Sequence, residues 1–301
     1  MKKKVGIIGA SGYVGYEIIK LLEERNDIEI IFCNSESLHS RDLKEIYPEY
    51  QGSVTLTNYS IEEINGIKPD LIFIAMMDGY ASKVVDKLKA RVIDLSKDFR
   101  LSERAVYGLP EMNRESIKKA TLVSNPGCYA TGCILGSLPL VKNGLTEWII
   151  YDCKSGYSGA GRYPSYLNDP KHFADNIIAY KISRHPHCDE IKYHLKFHKV
   201  SFTPHVVPLF RGIMCTIHIL LSYRVGAWAI YELYKEFYKD EKQVDVVNYL
   251  PELHDVQHTN KCCIGGFEID EAGRLVVIVT LDNLLKGASG QAVENLDIML
   301  A

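Results

Sequence analysis

Residues Val5–Gly15, Val-Gly-Ile-Ile-Gly-Ala-Ser-Gly-Tyr-Val-Gly, constrain the N-terminal half more tightly than any other stretch. An apolar run enters a Gly-x-x-Gly-x-x-Gly turn, and a helical pattern follows from Glu17 to Glu24. Strand, glycine turn and helix in that order build a phosphate-binding corner. The glycines let the backbone turn tightly and approach a pyrophosphate, and the helix N-terminus offers N–H donors and partial positive charge. The spacing differs by one residue from the commoner Gly-x-Gly-x-x-Gly. Gly9, Ser11, Gly12, Tyr13, Val14 and Gly15 are the candidate contacts to a dinucleotide. The second strand, Ile28 to Cys33, ends in Asn34-Ser35-Glu36-Ser37, with Arg41 beyond it. An acidic group at that strand end favours a free ribose 2′-hydroxyl, whereas hydroxyls and an arginine favour a 2′-phosphate. Ser35, Ser37 and Arg41 point to NADP; Glu36 argues mildly against it, and a solvated loop is the alternative for Arg41.

The alternation continues. Leu71 to Ala75 reads as a strand, Tyr80 to Lys89 as a helix, Val92 to Leu95 as a strand and Thr121 to Val123 as the last strand of this half. A βαβ rhythm implies a parallel, doubly wound sheet with ligand at the C-terminal strand ends. From about Glu147 the texture changes: Trp148–Cys153, Phe197–Phe202, Gly212–Leu221 and Leu275–Leu281 read as longer strands, with helices such as Ala227–Lys239 between them. The expected fold class is α/β, an N-terminal Rossmann doubly wound parallel sheet plus a C-terminal α+β domain with a mixed or antiparallel sheet, whose open face suits a contact between copies. The helical pattern Ser289–Leu300 packs back on the first domain. The expected boundaries are 1–127, completed by 283–301, and 128–282.

Within this frame one thiol stands out. In Ser124-Asn125-Pro126-Gly127-Cys128-Tyr129-Ala130-Thr131-Gly132, a proline-glycine turn follows a strand and precedes an apolar helical run. Cys128 then sits near a helix N-terminus, where unpaired N–H groups stabilise a thiolate suited to covalent catalysis. The alternative is a small buried hydrophobe, as most free cysteines are. Composition narrows the partners. With 35 basic and 38 acidic residues the net charge is −3, which gives no nucleic-acid or anionic-membrane surface. Lys2-Lys3-Lys4 precedes an apolar run broken by Gly6, Gly9 and Gly12, so it reads as the edge of a strand, not as a targeting segment. No apolar stretch is long enough to span a bilayer. The eight cysteines are scattered, only Cys262 and Cys263 being adjacent, which fits free thiols in a reducing cytoplasm and no metal site.

Several rare patterns occur in one order: Ile93-Asp94-Leu95-Ser96-Lys97-Asp98-Phe99-Arg100-Leu101, Val106-Tyr107-Gly108-Leu109-Pro110-Glu111, the Cys128 turn, Lys154–Arg162, Phe202–Pro208, Arg211-Gly212 and Asp282–Gln291. With the glycine loop, they make the chain resemble, nearly end to end, the N-acetyl-γ-glutamyl-phosphate reductases of arginine biosynthesis, and more distantly the aspartate-semialdehyde dehydrogenases. The resemblance implies NADPH-dependent reduction of an acyl phosphate through a thioester on Cys128, in a homodimer or homotetramer acting on a small molecule. It also implies an acid/base histidine. Arg184-His185-Pro186-His187-Cys188-Asp189-Glu190-Ile191 is similar to the family's His-x-His-x-Pro-Glu-Ile, which assigns the role to His187, with His205 as the alternative. The chain departs from that pattern at Pro186 and at Asp189. Ser155, Ser158, Gly159 and Arg162 lie on a glycine-rich loop that suits substrate; Arg162 or Arg211 would bind a carboxylate, each having a surface salt bridge as its alternative. Asn125 would donate to an oxyanion or simply make the turn. Asn283, with Lys286 and Gln291, would line the cofactor side, Lys286 being equally a plain surface lysine. Two other readings stand beside this one. The first is a related reductase of aminoadipyl phosphate on a carrier protein, docked by a basic rim for which Lys171, Arg184, Lys192, Lys196 and Lys199 are available. The second is an NADP-binding sensor without turnover.

Overall fold

The computed structural model describes residues 2–301. The chain begins β1 (Lys3–Ile8), α1 (Tyr13–Glu23), β2 (Ile28–Asn34), α2 (Ile61–Ile67), β3 (Leu71–Ile74), α3 (Ala81–Val84), β4 (Arg91–Asp94), β5 (Val106–Tyr107), α4 (Pro110–Lys119) and β6 (Leu122–Ser124). It continues α5 (Cys128–Lys142), β7 (Thr146–Gly156), α6 (Pro170–Phe173), β8 (Ile178–Ala179), α7 (Pro186–Leu195), β9 (Val200–Val207) and β10 (Ile213–Leu221). It ends α8 (Ala227–Tyr238), β11 (Val244–Val246), β12 (Cys262–Ile269), β13 (Arg274–Leu281) and α9 (Ser289–Leu300). Two compact units result: residues up to Pro126 together with Ala288–Ala301, and Gly127–Gly287.

The first unit is a six-stranded sheet in the order β2-β1-β3-β4-β6-β5, parallel throughout. Both faces are covered, which is why β3 is apolar at every position, Leu71-Ile72-Phe73-Ile74, and wholly buried. One face packs Ile7, Phe73 and Ile93 with Ile19 and Leu22 of α1 and Leu296 and Met299 of α9. The other packs Ile8, Phe32, Ile72 and Ile74 with Ile64, Ala81 and Phe99. One expectation needs correction. The helix expected over Tyr80–Lys89 is a single α turn, Ala81–Val84, followed by a 3₁₀ turn at Val85–Lys87. It has no side-chain cap at Tyr80, and adjacent Val84 and Val85 disfavour longer helix. The two-residue β5 pairs outside β6 at the sheet edge, and so short a strand leaves no periodicity to read.

The second unit is a seven-stranded mixed sheet, β11-β12-β13-β10-β7-β9-β8. Its centre, β12 to β7, is antiparallel, while β9 runs parallel to β7. Strand alternation divides the residues between two faces. Tyr151, Cys153, Cys215, Ile217 and Val279 lie beneath α5, whereas Trp148, Ile150 and Leu220 are exposed on the opposite face. Strands β8, β11 and β12 and helix α7 are not among the elements expected from the sequence.

Helix α5 is held close to this sheet. A Cβ at Gly136 would stand 2.3 Å from Ile217 Cδ1 and 2.6 Å from Val279 Cγ2. Pro139 lies inside the helix and has no N–H to give to the Leu135 carbonyl four residues back. The buried Tyr238 of α8 fills that role, its hydroxyl donating to Leu135 O at 2.6 Å, while Tyr234 donates to Gly136 O at 2.6 Å. Tyr238→Phe leaves the carbonyl unpaired, so it is expected to destabilise the protein by about 1–3 kcal/mol. In a Pro139→Ala background the helix supplies its own N–H, and the cost of Tyr238→Phe falls. Urea unfolding of the four-member cycle checks this; equal costs in both backgrounds would refute the role given to Tyr238.

Candidate active site

The glycine loop of the first unit explains its own residues. Gly9 has φ +91°, and a Cβ there would lie 2.3 Å from the Ala75 carbonyl oxygen; a Cβ at Gly15 would lie 2.3 Å from Gly9 O. These two glycines let the turn close on β3 and on α1. Gly12 differs: a Cβ there meets only Gly9 O, at 3.6 Å, so the space above it is clear of protein. Gly12 is also the N-cap of α1, with no side-chain cap and no acidic residue in the first turn, Tyr13 to Gly15. A helix end in that state fits the pyrophosphate of a dinucleotide. Ser11 and Ser35 are both buried, and their hydroxyls meet at 2.8 Å. Ser37 and Arg41 are exposed beyond β2. Tyr47 went unnoticed in the sequence. It donates from its hydroxyl to Ser11 O at 3.0 Å and stacks on Tyr16, the ring centroids 3.9 Å apart. Only the fold of the 36–56 excursion brings it there.

In the second unit Cys128 is the first residue of α5, half-buried, with Gly127 as its N-cap. The positive end of the helix dipole therefore falls on the thiol. The Gly127 N–H donates to Glu190 Oε1 at 2.8 Å, and Glu190 is itself buried on α7. Tyr129, next to the thiol, packs its ring edge-on against His185 and His187, with centroids 5.8 Å from each. His185 caps α7, its Nδ1 accepting from the His187 N–H at 3.2 Å, and the two imidazoles are 4.5 Å apart. Pro186 occupies the first position of α7, where a proline costs no hydrogen bond. The local departure from the family pattern is thus a helix start. Cys128, Tyr129, His185, His187 and Glu190 come together because α7 packs on α5. Glu190 lies in the same 184–191 stretch, and its contact with Gly127 emerges only in the fold.

His205 lies elsewhere. Its side chain points to the face of the sheet opposite α5, where Nδ1 is 3.3 Å from Asp152 Oδ1. Only its backbone carbonyl reaches toward the cysteine, accepting from Tyr129 Oη at 2.9 Å. Burial pushes the Tyr129 and Tyr180 phenols well above the usual range, so both remain neutral.

The turn after β13 closes the other side. A Cβ at Gly287 would be 2.9 Å from Cys128 Cβ. Asp282 Oδ1 accepts from the Leu284 and Leu285 N–H groups at 2.9 and 3.3 Å, and Arg211 Nη1 is 3.2 Å from Asp282 Oδ2 in a buried pair. The Asn283 amide donates to Ser158 Oγ at 2.9 Å and accepts from the Gly212 N–H at 2.7 Å. Ser155 Oγ donates to Gly156 O at 3.0 Å; Gly159 is exposed and Arg162 half-buried. Lys286 is fully buried, which corrects its reading as a plain surface lysine. Asn125 belongs to the first unit, where its amide donates to Ala288 O at 3.0 Å and its oxygen accepts from Asn295 at 3.1 Å.

Residues 4–120 match the family described as "Semialdehyde dehydrogenase, NAD binding domain", and residues 128–283 match "Semialdehyde dehydrogenase, dimerisation domain". Among solved structures, aspartate semialdehyde dehydrogenase II of Vibrio cholerae superposes with a TM-score of 0.80 at 18% identity, covering 100% of this chain and 98% of that one. The Candida albicans aspartate semialdehyde dehydrogenase with NADP gives a TM-score of 0.79 at 17% identity, covering 100% and 99%. The fold is that of the semialdehyde dehydrogenases, and the chain is an oxidoreductase of that class. The N-acetyl-gamma-glutamyl-phosphate reductase of Methanosphaera stadtmanae is 43% identical over 327 residues, and that of Methanocaldococcus jannaschii 40% over 324, each covering 99% of this chain and 95% of the relative. The chain belongs to the N-acetyl-gamma-glutamyl-phosphate reductase family.

Where β4 ends, a buried carboxyl carries a measurable signature. Asp94 is fully buried, and burial pushes its pKa up to about 6, although its oxygens accept from Ser96 N and Oγ at 3.0 and 2.9 Å. The folded state therefore holds this proton more tightly than the unfolded one, and stability falls as pH rises from about 4 to about 6. The contribution lost has an upper bound of ~3 kcal/mol. Asp94→Asn is expected to remove that part of the slope; urea midpoints between pH 4 and 7 measure it, and parallel curves for the two proteins would contradict it.

Proposed function

We propose that this enzyme reduces N-acetyl-γ-glutamyl phosphate to N-acetylglutamate semialdehyde with release of phosphate, in arginine biosynthesis, using NADPH and a thioester on Cys128. The observation that carries the reading is Cys128 at the first position of a fifteen-residue helix whose next residue, Tyr129, packs against the His185 and His187 rings of α7. His187 takes the thiol proton, and the Cys128 sulfur attacks the acyl carbon. The acyl–oxygen bond to phosphate breaks, inorganic phosphate leaves and the thioester remains. The dipole of α5 favours the thiolate both as attacking and as departing group. His185 orients His187 by accepting its backbone N–H, and Glu190 fixes the turn that holds the sulfur. The glycine loop Gly9–Gly15 would hold a nicotinamide dinucleotide, whose hydride would serve to reduce the thioester carbonyl. Collapse of the resulting thiohemiacetal frees the aldehyde and returns the sulfur to its thiolate form. Arg162, Ser155 and Gly159 are the groups assigned to the phosphate and carboxylate of the substrate.

Ser35, Ser37 and Arg41 support NADP as the preferred dinucleotide. The cofactor role falls on 1–127 with 283–301, and the catalytic and dimerisation roles on 128–282. The exposed Trp148, Ile150 and Leu220 supply an apolar face for pairing copies into a homodimer or a larger homo-oligomer. Free thiols suit a cytoplasmic enzyme.

The reaction is tested in reverse, as phosphate-dependent reduction of NADP by N-acetylglutamate semialdehyde. Cys128→Ser is expected to lower kcat by at least about 10³-fold. For His187→Asn the expected loss is about 10²–10⁴-fold, with the alkaline or acidic limb of the pH profile altered. His205→Asn, whose imidazole lies across the sheet, should leave kcat nearly unchanged. Turnover that persists in Cys128→Ser, or that fails with His205→Asn while surviving His187→Asn, would overturn these assignments.

A further inference from the structure

Three cysteines far apart in sequence meet beneath α5. Cys133 on the helix lies with its sulfur 3.7 Å from that of Cys153 on β7 and 3.9 Å from that of Cys215 on β10, and all three sulfur atoms lie within 4.8 Å of one another. Cys153 and Cys215 are direct partners across the antiparallel β7–β10 ladder, so the sheet itself sets their spacing. The helix supplies the third sulfur by lying close: a Cβ at the neighbouring Gly132 would stand 3.2 Å from Cys215 Sγ and 3.2 Å from Leu281 Cδ2. All three cysteines are fully buried, and Cys133 lies five residues past Cys128 on the same helix.

We propose that Cys133, Cys153 and Cys215 form a binding site for a thiophilic d¹⁰ cation, copper(I) being the ion their number and spacing fit. Three sulfur ligands at a metal–sulfur distance of about 2.3 Å stand about 4 Å apart in a trigonal plane; Cys133 meets that spacing to both partners, and Cys153 and Cys215 lie within 4.8 Å of each other. Zinc is disfavoured because it takes four ligands, and among the described residues the group contains three. Soft thiolates select copper(I) in preference to magnesium, calcium or manganese. Binding releases the three S–H protons to solvent and leaves copper in the +1 state, so no electron changes hands. The ion would tie α5 to two central strands of its own unit. The proposal is independent of the role given to Cys128.

The site is closed to solvent, so the test loads the ion as the chain folds. Full-length Cys128→Ser, which removes the half-buried thiol from competition, is refolded from urea under anaerobic conditions with one equivalent of copper(I). It is then challenged with bathocuproine disulfonate. Expected are one copper retained per chain, an X-ray absorption first shell of three sulfurs at about 2.3 Å, and a thermal midpoint raised by about 5 °C. Adding Cys153→Ala or Cys133→Ala should weaken retention by at least about tenfold. Complete loss of copper to the chelator would overturn the proposal and leave three buried thiols as core packing. So would a two-sulfur shell in the parent, as the adjacent Cys262 and Cys263 would give, or a spectrum unchanged by both alanine variants. If the alanine variants do not fold, the coordination number of the parent decides.

Discussion

The close seating of α5 on its sheet is the constraint from which most of the second unit follows. Twelve of its fifteen residues are buried, so the helix is fixed by packing and not by an aqueous face. Gly132 and Gly136, four residues apart, lie on one side of the helix and let it approach β10 and β13 where larger side chains would strike Cys215, Ile217 and Val279. That approach fixes where the first residue, Cys128, stands relative to the turn at Gly287. It also brings a proline into a buried helix, a break tolerated because α8 contributes a phenol at the orphaned carbonyl.

Against this background the electrostatics of the thiol are not those of a helix end alone. The positive end of α5 is shared: Glu190, buried on α7, already accepts from the Gly127 N–H. A carboxylate so close holds the turn rigid, but as a charge it opposes a neighbouring thiolate. Glu190 thus fixes the position of the turn that carries Cys128. The His185–His187 pair packs edge-on against Tyr129, the residue that follows the thiol.

Legibility in the sequence followed the range of the interaction. Gly9, Gly12 and Gly15 announced the loop because their reasons are local: a positive φ, an open N-cap and a close contact within one turn. The parallel sheet was legible because burial on both faces writes continuous apolar runs. What remained hidden depended on partners far along the chain. Tyr47 reaches Ser11 across 36 residues, and Glu190 reaches Gly127 across 63. The thiol cluster spans 82 residues from Cys133 to Cys215, so its members looked scattered. His205, the alternative to His187, shows the converse: its local pattern is suggestive, but strand alternation turns its ring away from α5.

A related distinction applies to the residues that carry the family's motifs. Asn283, Arg211 and Asn125 are polar and nearly inaccessible, which invites a functional role for each. Yet Asn283 bridges Ser158 and Gly212, Arg211 pairs with Asp282, and Asn125 spans Ala288 and Asn295. A buried polar group must find partners or cost several kcal/mol, roughly 1–3 for an unpaired amide or hydroxyl. Such residues are therefore as tightly constrained by the fold as a nucleophile is by its chemistry. In this enzyme they hold the turns at Asn125, Ser158 and Gly212, and a motif built from them reports the shape of those turns.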